Sequence, residues 1–160
     1  MRTLGVAAVV VCLGIGPVAA GDERKIVGTY RLAERAMTEG GAKLHPPEVL
    51  GSMTFTKTTR TVILKWPNAD GSQVSVAVIA TYTLSGGKYC ETELYGMQSN
   101  LGAPGVEYDT AATAPQCTAA ISDATGFSFE IPGEHLRLQV TRDGIRLTTK
   151  RYTDRWEKVK

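Results

Sequence analysis

The chain has 160 residues, 18 Lys and Arg against 16 Asp and Glu, and a formal net charge of +2. So even a balance excludes the strongly basic surface that nucleic acid or an anionic membrane selects. Two histidines and three cysteines, none in a Cys-x-x-Cys spacing, exclude a recognisable metal centre, and no cofactor motif is present.

Met1 to Ala20 opens with one cation, Arg2, runs through the apolar Leu4 to Ile15 and ends in Pro17-Val18-Ala19-Ala20. This is the pattern of a cleavable export leader cut after Ala20, which predicts a periplasmic or secreted domain over 21–160. The apolar run is shorter than the roughly 20 residues that span a bilayer, and no later stretch approaches that length, so no membrane span is expected. Cys12 lies inside the run without a small-residue lipobox, which argues against a lipid anchor. The remainder of the chain, 21–160, is long enough for one domain with its own core.

Cys90 and Cys117 remain as an even pair once the leader is gone. In an oxidising compartment they read as one disulfide, closing a loop worth about 3.5 kcal/mol in the chain-entropy model.

Ile26 to Leu32 is the first strand-like run, with Gly28 marking a bend and Tyr30 placing a large ring on the face shared with Leu32. It is expected to pair with the closing run Arg155 to Val159, which would close the intervening sheet into a barrel. Met37 to Pro47, rich in Gly and Pro, reads as a loop and a candidate lid. Met53 and Phe55 alternate with polar residues, and Val62, Leu64 and Trp66 share one face of the next run, so the two form a hairpin across the polar Lys57 to Arg60.

Gln73 to Leu84 is the longest β-favouring run, and Ser85-Gly86-Gly87 turns it into Lys88 to Tyr95. On that second strand Tyr89, Glu91, Glu93 and Tyr95 fall on one face and Cys90, Thr92 and Leu94 on the other. Such a polar and aromatic face either lines a wet cavity or covers the outside of the sheet. From Gly96 to Asp123 the alternation fades, which predicts a long disulfide-pinned loop with a short helix near Tyr108 to Thr113. It is a flap over the barrel mouth or a surface excursion. Strands return at Phe127 to Ile131, Leu136 to Thr141 and Ile145 to Thr149. The basic end of the chain, where Arg151, Arg155, Lys158 and Lys160 are interleaved with Asp154 and Glu157, reads as a solvated strand face.

The sum is an all-β domain, an antiparallel up-and-down barrel of roughly eight or nine strands, with a β-sandwich as the alternative. Gly28-Thr29-Tyr30-Arg31-Leu32 resembles the Gly-x-Trp opening strand of lipocalins, and more closely that of the bacterial lipocalin-like domain family, with Tyr30 in place of Trp. The resemblance continues at Gly51 to Phe55, Ala80 to Gly87 and Arg155 to Val159. It implies a barrel that binds a small apolar molecule, with a late arginine, Arg155 or Arg151, packed across the ring of Tyr30.

The expected function is therefore an exported barrel holding a small, largely apolar ligand, with Tyr30, Met53, Phe55, Tyr82, Tyr89, Glu91, Phe129 and Leu138 as candidate cavity residues. Two alternatives stay open. One is an isomerase or cyclase using Glu91 or Glu93 beside Tyr89 as acid and base; the other is an inhibitor-like barrel that docks a protein through the 96–123 loop.

Overall fold

The computed structural model describes residues 16–17, 23–68 and 70–160. The expected leader lies outside the described residues except for a two-residue strand, β1 (Gly16–Pro17), that pairs with Ser122 and Ile121. A single helical turn, α1 (Glu23–Ile26), precedes β2 (Gly28–Met37), β3 (Lys43–Leu44), β4 (Leu50–Phe55), β5 (Thr59–Pro67), β6 (Gln73–Ser85) and β7 (Lys88–Ser99). The chain goes on through β8 (Val106–Asp109), β9 (Gln116–Asp123), β10 (Gly126–Ile131), β11 (Leu136–Thr141), β12 (Gly144–Thr148) and β13 (Tyr152–Lys158).

Every ladder is antiparallel, and barrel strands that follow one another in the chain are neighbours in the sheet. The ring runs β2, β4, β5, β6, β7, β9, β10, β11, β12, β13 and back to β2, a closed barrel of ten strands rather than eight or nine. The first and last strands meet as their sequences foretell, with Lys158 opposite Tyr30 and Trp156 opposite Leu32.

The additional barrel strand is β9, which lies in the stretch expected to be a loop. Its inward positions are small, Thr118 and Ala120, because they face rings: Thr118 stands opposite Tyr89 and Ala120 opposite Phe129. A strand that makes room for its neighbours' aromatics has no hydrophobic alternation of its own to betray it. The expected helix near Tyr108 to Thr113 does not form; its first residues end β8, which pairs with the far half of β7.

β7 and β9 pair only over Lys88 to Glu91, with Cys90 directly opposite Cys117. The two cysteines are joined, Cα to Cα 4.0 Å, so the disulfide staples the seam at which the barrel closes. Such a bond is the mark of an oxidising compartment.

The end of the barrel formed by the 56–58, 86–87, 124–125 and 142–143 turns is solid. Ile26 caps it from α1, and the Tyr30 hydroxyl donates to the Ile26 carbonyl at 2.8 Å. Phe55 meets Tyr82 edge-on at 5.5 Å, Tyr82 stacks on Tyr89 at 5.6 Å, Tyr89 on Phe129 at 4.1 Å, and Phe127 on Phe129 at 6.1 Å. Burying so many rings drives most of the closure here, since each removes a large apolar area from water and adds a pair term of about 1 kcal/mol.

The cation across Tyr30 is Lys158, not Arg155 or Arg151. Its ammonium lies 5.6 Å from the ring centroid and donates to the Val27 carbonyl at 2.7 Å. Arg155 points outward to Glu157, and Arg151 belongs to a turn at the opposite end. Gly28, at φ 150°, makes this approach: a Cβ there would come within 2.5 Å of the Lys158 Cε.

Candidate functional site

The other end of the barrel is open. The 38–42, 100–105, 132–135 and 149–151 turns, with Pro67, Asn68, Asp70 and Ser72, rim a cavity of about 1710 Å³ that reaches down to Arg60. Its walls are the inward residues Met53, Val62, Leu64, Val76, Val78 and Leu147, so the surface met by an entering molecule is chiefly apolar. The region expected to act as a lid is a short hairpin instead: β3 folds back on β2, and Ala42 and Leu44 join the rim.

Arg60 and Glu91 separate the cavity from the aromatic plug. Arg60 donates through Nε and Nη2 to the two Glu91 oxygens at 2.8 and 2.6 Å, and the Tyr89 hydroxyl donates to the same carboxylate. Arg60 sits in phase with Val62, Leu64 and Trp66 on β5. It reaches across β6 because the residue between is the small, buried Ala80. Burial by itself pulls the Arg60 pKa down, but the hydrogen bonds and charge of Glu91 reverse this and leave it above the ordinary value. Burial drives the Tyr89 phenol far upward, against the charge of Arg60 and with that of Glu91, so it stays a donor.

A second buried pair braces the wall nearer the mouth. Arg35 and Asp154 are cross-strand partners joined at 2.7 and 2.8 Å, with side chains 1% and 0% exposed. The guanidinium lies between two rings, 3.8 Å from the centroid of Tyr152 and 4.7 Å from that of Trp66. Asp154 is thus no part of a solvated face: the strand alternation turns it inward while Arg155 faces out. Burial holds its carboxyl above the ordinary value even though Arg35 pulls it back down.

Five carboxylates line the cavity without such a bidentate partner, Asp70, Glu93, Glu107, Asp109 and Glu134, of which Glu93 and Glu134 feel the charge of Arg60. Glu134, from the 132–135 turn, touches the Arg60 Nη2 at 3.3 Å. Glu93 makes no side-chain hydrogen bond or ion pair among the described residues; only its backbone is tied down, to Thr113 at 3.0 and 2.9 Å. Burial raises the pKa of both. The charges of Glu91 and Asp109 add to the effect at Glu93, those of Glu91 and Glu93 add to it at Glu134, and Arg60 opposes it at both.

Of the residues proposed from the sequence, Met53 lines the cavity. Tyr30, Phe55, Tyr82, Tyr89, Phe129 and Leu138 lie in the packed core, and Glu91 forms the floor with Arg60. The face expected to hold Tyr89, Glu91, Glu93 and Tyr95 breaks after Glu93. A bulge at Leu94 pairs Ala80 with Glu93 but Ile79 with Tyr95. Tyr95 therefore shares the outer face of Ile79, and Gly96 takes the inward position.

Arg60, Arg35, Asp154 and Glu134 were not visible as site residues. Arg60 reads as the end of a polar turn, and Arg35 lies beyond the first strand-like run, which was read only to Leu32; the in-phase spacing of Arg60 with Val62 and Leu64 is the signal that points inward. Comparison of the chain with protein-family models, curated proteins and solved structures finds no match.

Proposed function

We propose that this barrel is an exported binding protein, periplasmic or secreted, which holds a small, largely apolar molecule above the Arg60–Glu91 floor. The observation that carries the reading is the asymmetry of the interior: one end is filled by stacked rings, and the other encloses about 1710 Å³ behind an apolar wall. Ligand sites are typically concave and mostly apolar, with a few fixed polar groups that orient the occupant. The two buried ion pairs and the carboxylates of the lining, Glu93 and Glu134 among them, supply those groups here. The lipocalin-like assignment belongs to the same proposal. It is supported by Tyr30 at the closed end with a cationic side chain across its ring.

Glu91 fits the part of floor better than that of acid or base, because both its oxygens are engaged by Arg60 and Tyr89. Within the 96–123 stretch β9 is a wall strand of the barrel, whereas 101–117, β8 included, is exposed throughout.

Native mass spectrometry of protein purified from an oxidising compartment, followed by titration with a neutral polarity-sensitive dye, tests the proposal. The expected result is one dye per chain, blue-shifted in emission and displaced by any molecule extracted from the purified protein. Narrowing the cavity with Val78→Trp should change the dye affinity while the folded circular dichroism spectrum is kept. A folded parent that takes up no dye and carries no extractable molecule overturns the reading.

A further inference from the structure

The charges around the cavity do not balance. Deep in the barrel each cation is already matched: Arg35 is held by Asp154 and Arg60 by Glu91, both in bidentate pairs. Five carboxylates without a bidentate partner face the cavity: Asp70, Glu107 and Asp109, and, within reach of the Arg60 charge, Glu93 and Glu134. Glu134 makes one further contact to the guanidinium that Glu91 has neutralised, and Glu93 has no partner for its carboxylate among the described residues. Lys150 and Arg151, in the 149–151 rim turn, also line the cavity, so five such carboxylates stand against these two further cations.

Gly96 makes room for one of these carboxylates. It occupies the inward position that the Leu94 bulge assigns to it, and a Cβ there would stand 2.5 Å from the Glu93 Oε1. The side chain of Glu93 thus lies over bare backbone within the cavity wall, beside an apolar surface that extends from Met53 to Leu147. Leaving carboxylates in a half-dry cavity is unfavourable unless a positive group answers them. The described residues offer no unmatched deep cation to do so, and burial raises the Glu93 and Glu134 carboxyls in keeping with that. A cationic head carried on an apolar body would answer both the carboxylates and the apolar wall beside them.

Resting on the binding function proposed above, we infer that the ligand is an amphipathic amine: its ammonium sits between Glu93 and Glu134, and its apolar body lies along Met53, Val62, Val78 and Leu147. An ammonium supplies up to three donors to two carboxylates, whereas a hydroxyl supplies one and a carboxylate head would add a third like charge. Arg35 already occupies the faces of Trp66 and Tyr152, so the carboxylates rather than an aromatic cage select the head.

Three probes of one chain length separate the possibilities: dodecylamine, dodecanol and dodecanoate, each below its micelle-forming concentration, titrated by displacement of the neutral dye. The amine is expected to bind roughly tenfold or more tightly than the alcohol, and the carboxylate most weakly, as charge-assisted hydrogen bonds in a partly dry site imply. Glu93→Gln and Glu134→Gln should each weaken the amine several-fold and leave the alcohol unchanged. Equal affinity for amine and alcohol, or tighter binding of dodecanoate, overturns the headgroup assignment and leaves cavity binding standing. Failure of all three to displace a dye that does bind overturns it as well, while failure of the dye itself to bind overturns the cavity reading beneath it.

Discussion

The two ends of this barrel are built from the same strands and solve the interior in opposite ways. Where β2, β5, β7 and β10 begin, their inward residues and those of the adjoining strands are rings and branched chains that touch each other, and nothing but protein fills the space. Toward the far ends the inward residues, Val62, Leu64 and Trp66 on β5 among them, line open space rather than fill it. A ten-stranded ring is wide, since diameter grows with strand number. The plug end is closed by large aromatics, and the mouth end, lined by valines, leucines and glutamates, stays open. Dense packing and open space are thereby assigned to different halves of one barrel.

The border between the halves should be the most sensitive point. Arg60→Ala leaves Glu91 buried with its charge uncompensated, and an equilibrium urea titration is expected to show a loss of about 3–5 kcal/mol. The double replacement Arg60→Met with Glu91→Leu should recover most of it, because removing both charges leaves no orphan. If the double variant is as unstable as the single one, the pair specifies the fold rather than merely bordering the cavity.

Within the plug, Phe129→Ala removes a ring stacked on both Tyr89 and Phe127, and a loss of about 3–5 kcal/mol is expected in the same titration. The counterpart in the mouth is Val76→Ala, on a partly buried wall residue that solvent already reaches. It should cost about 1 kcal/mol or less and change dye affinity instead. A large loss at Val76 would mean that the mouth is packed like the plug, and the division would fail.

The smallest effect is in pH dependence. Burial holds the Glu134 carboxyl above its ordinary value of 4.5 in the folded chain, so folding binds its proton more tightly than the unfolded chain does. The resulting stabilisation is fully present below the unfolded pKa, near 4.5, and is lost as pH rises through the folded one. Between pH 4.5 and 7 the parent Tm should accordingly carry a downward component that Glu134→Gln lacks, leaving the variant relatively more stable at neutral pH. A steeper decline in the variant would show that Glu134 is stabilised as the anion, most directly by Arg60.

Much of the barrel was legible in the order of residues. Strong alternation revealed β4, β5, β6, β10 and β11, the turn residues separated them, and the pairing of Tyr30 with the end of the chain agrees with the tendency of a long sheet to bury its two edges. The weak strand β9 was not legible, because small residues facing Tyr89 and Phe129 make sense only once those rings are in place. Nor was the break in the Tyr89 to Tyr95 face, since a one-residue bulge leaves no local mark and yet reverses every side chain after it.

The amino-acid order by itself determined that this is a disulfide-bearing, all-β chain whose strands mostly carry one apolar face. Those properties depend on local spacing and composition, which any short window displays. Which half of the interior is filled, and that Arg35, Arg60, Asp154 and Glu134 turn inward, was decided only in three dimensions. A charge on a strand faces in or out according to the register and bulges of its neighbours, and it can stay inside only if a partner from a distant strand arrives to meet it.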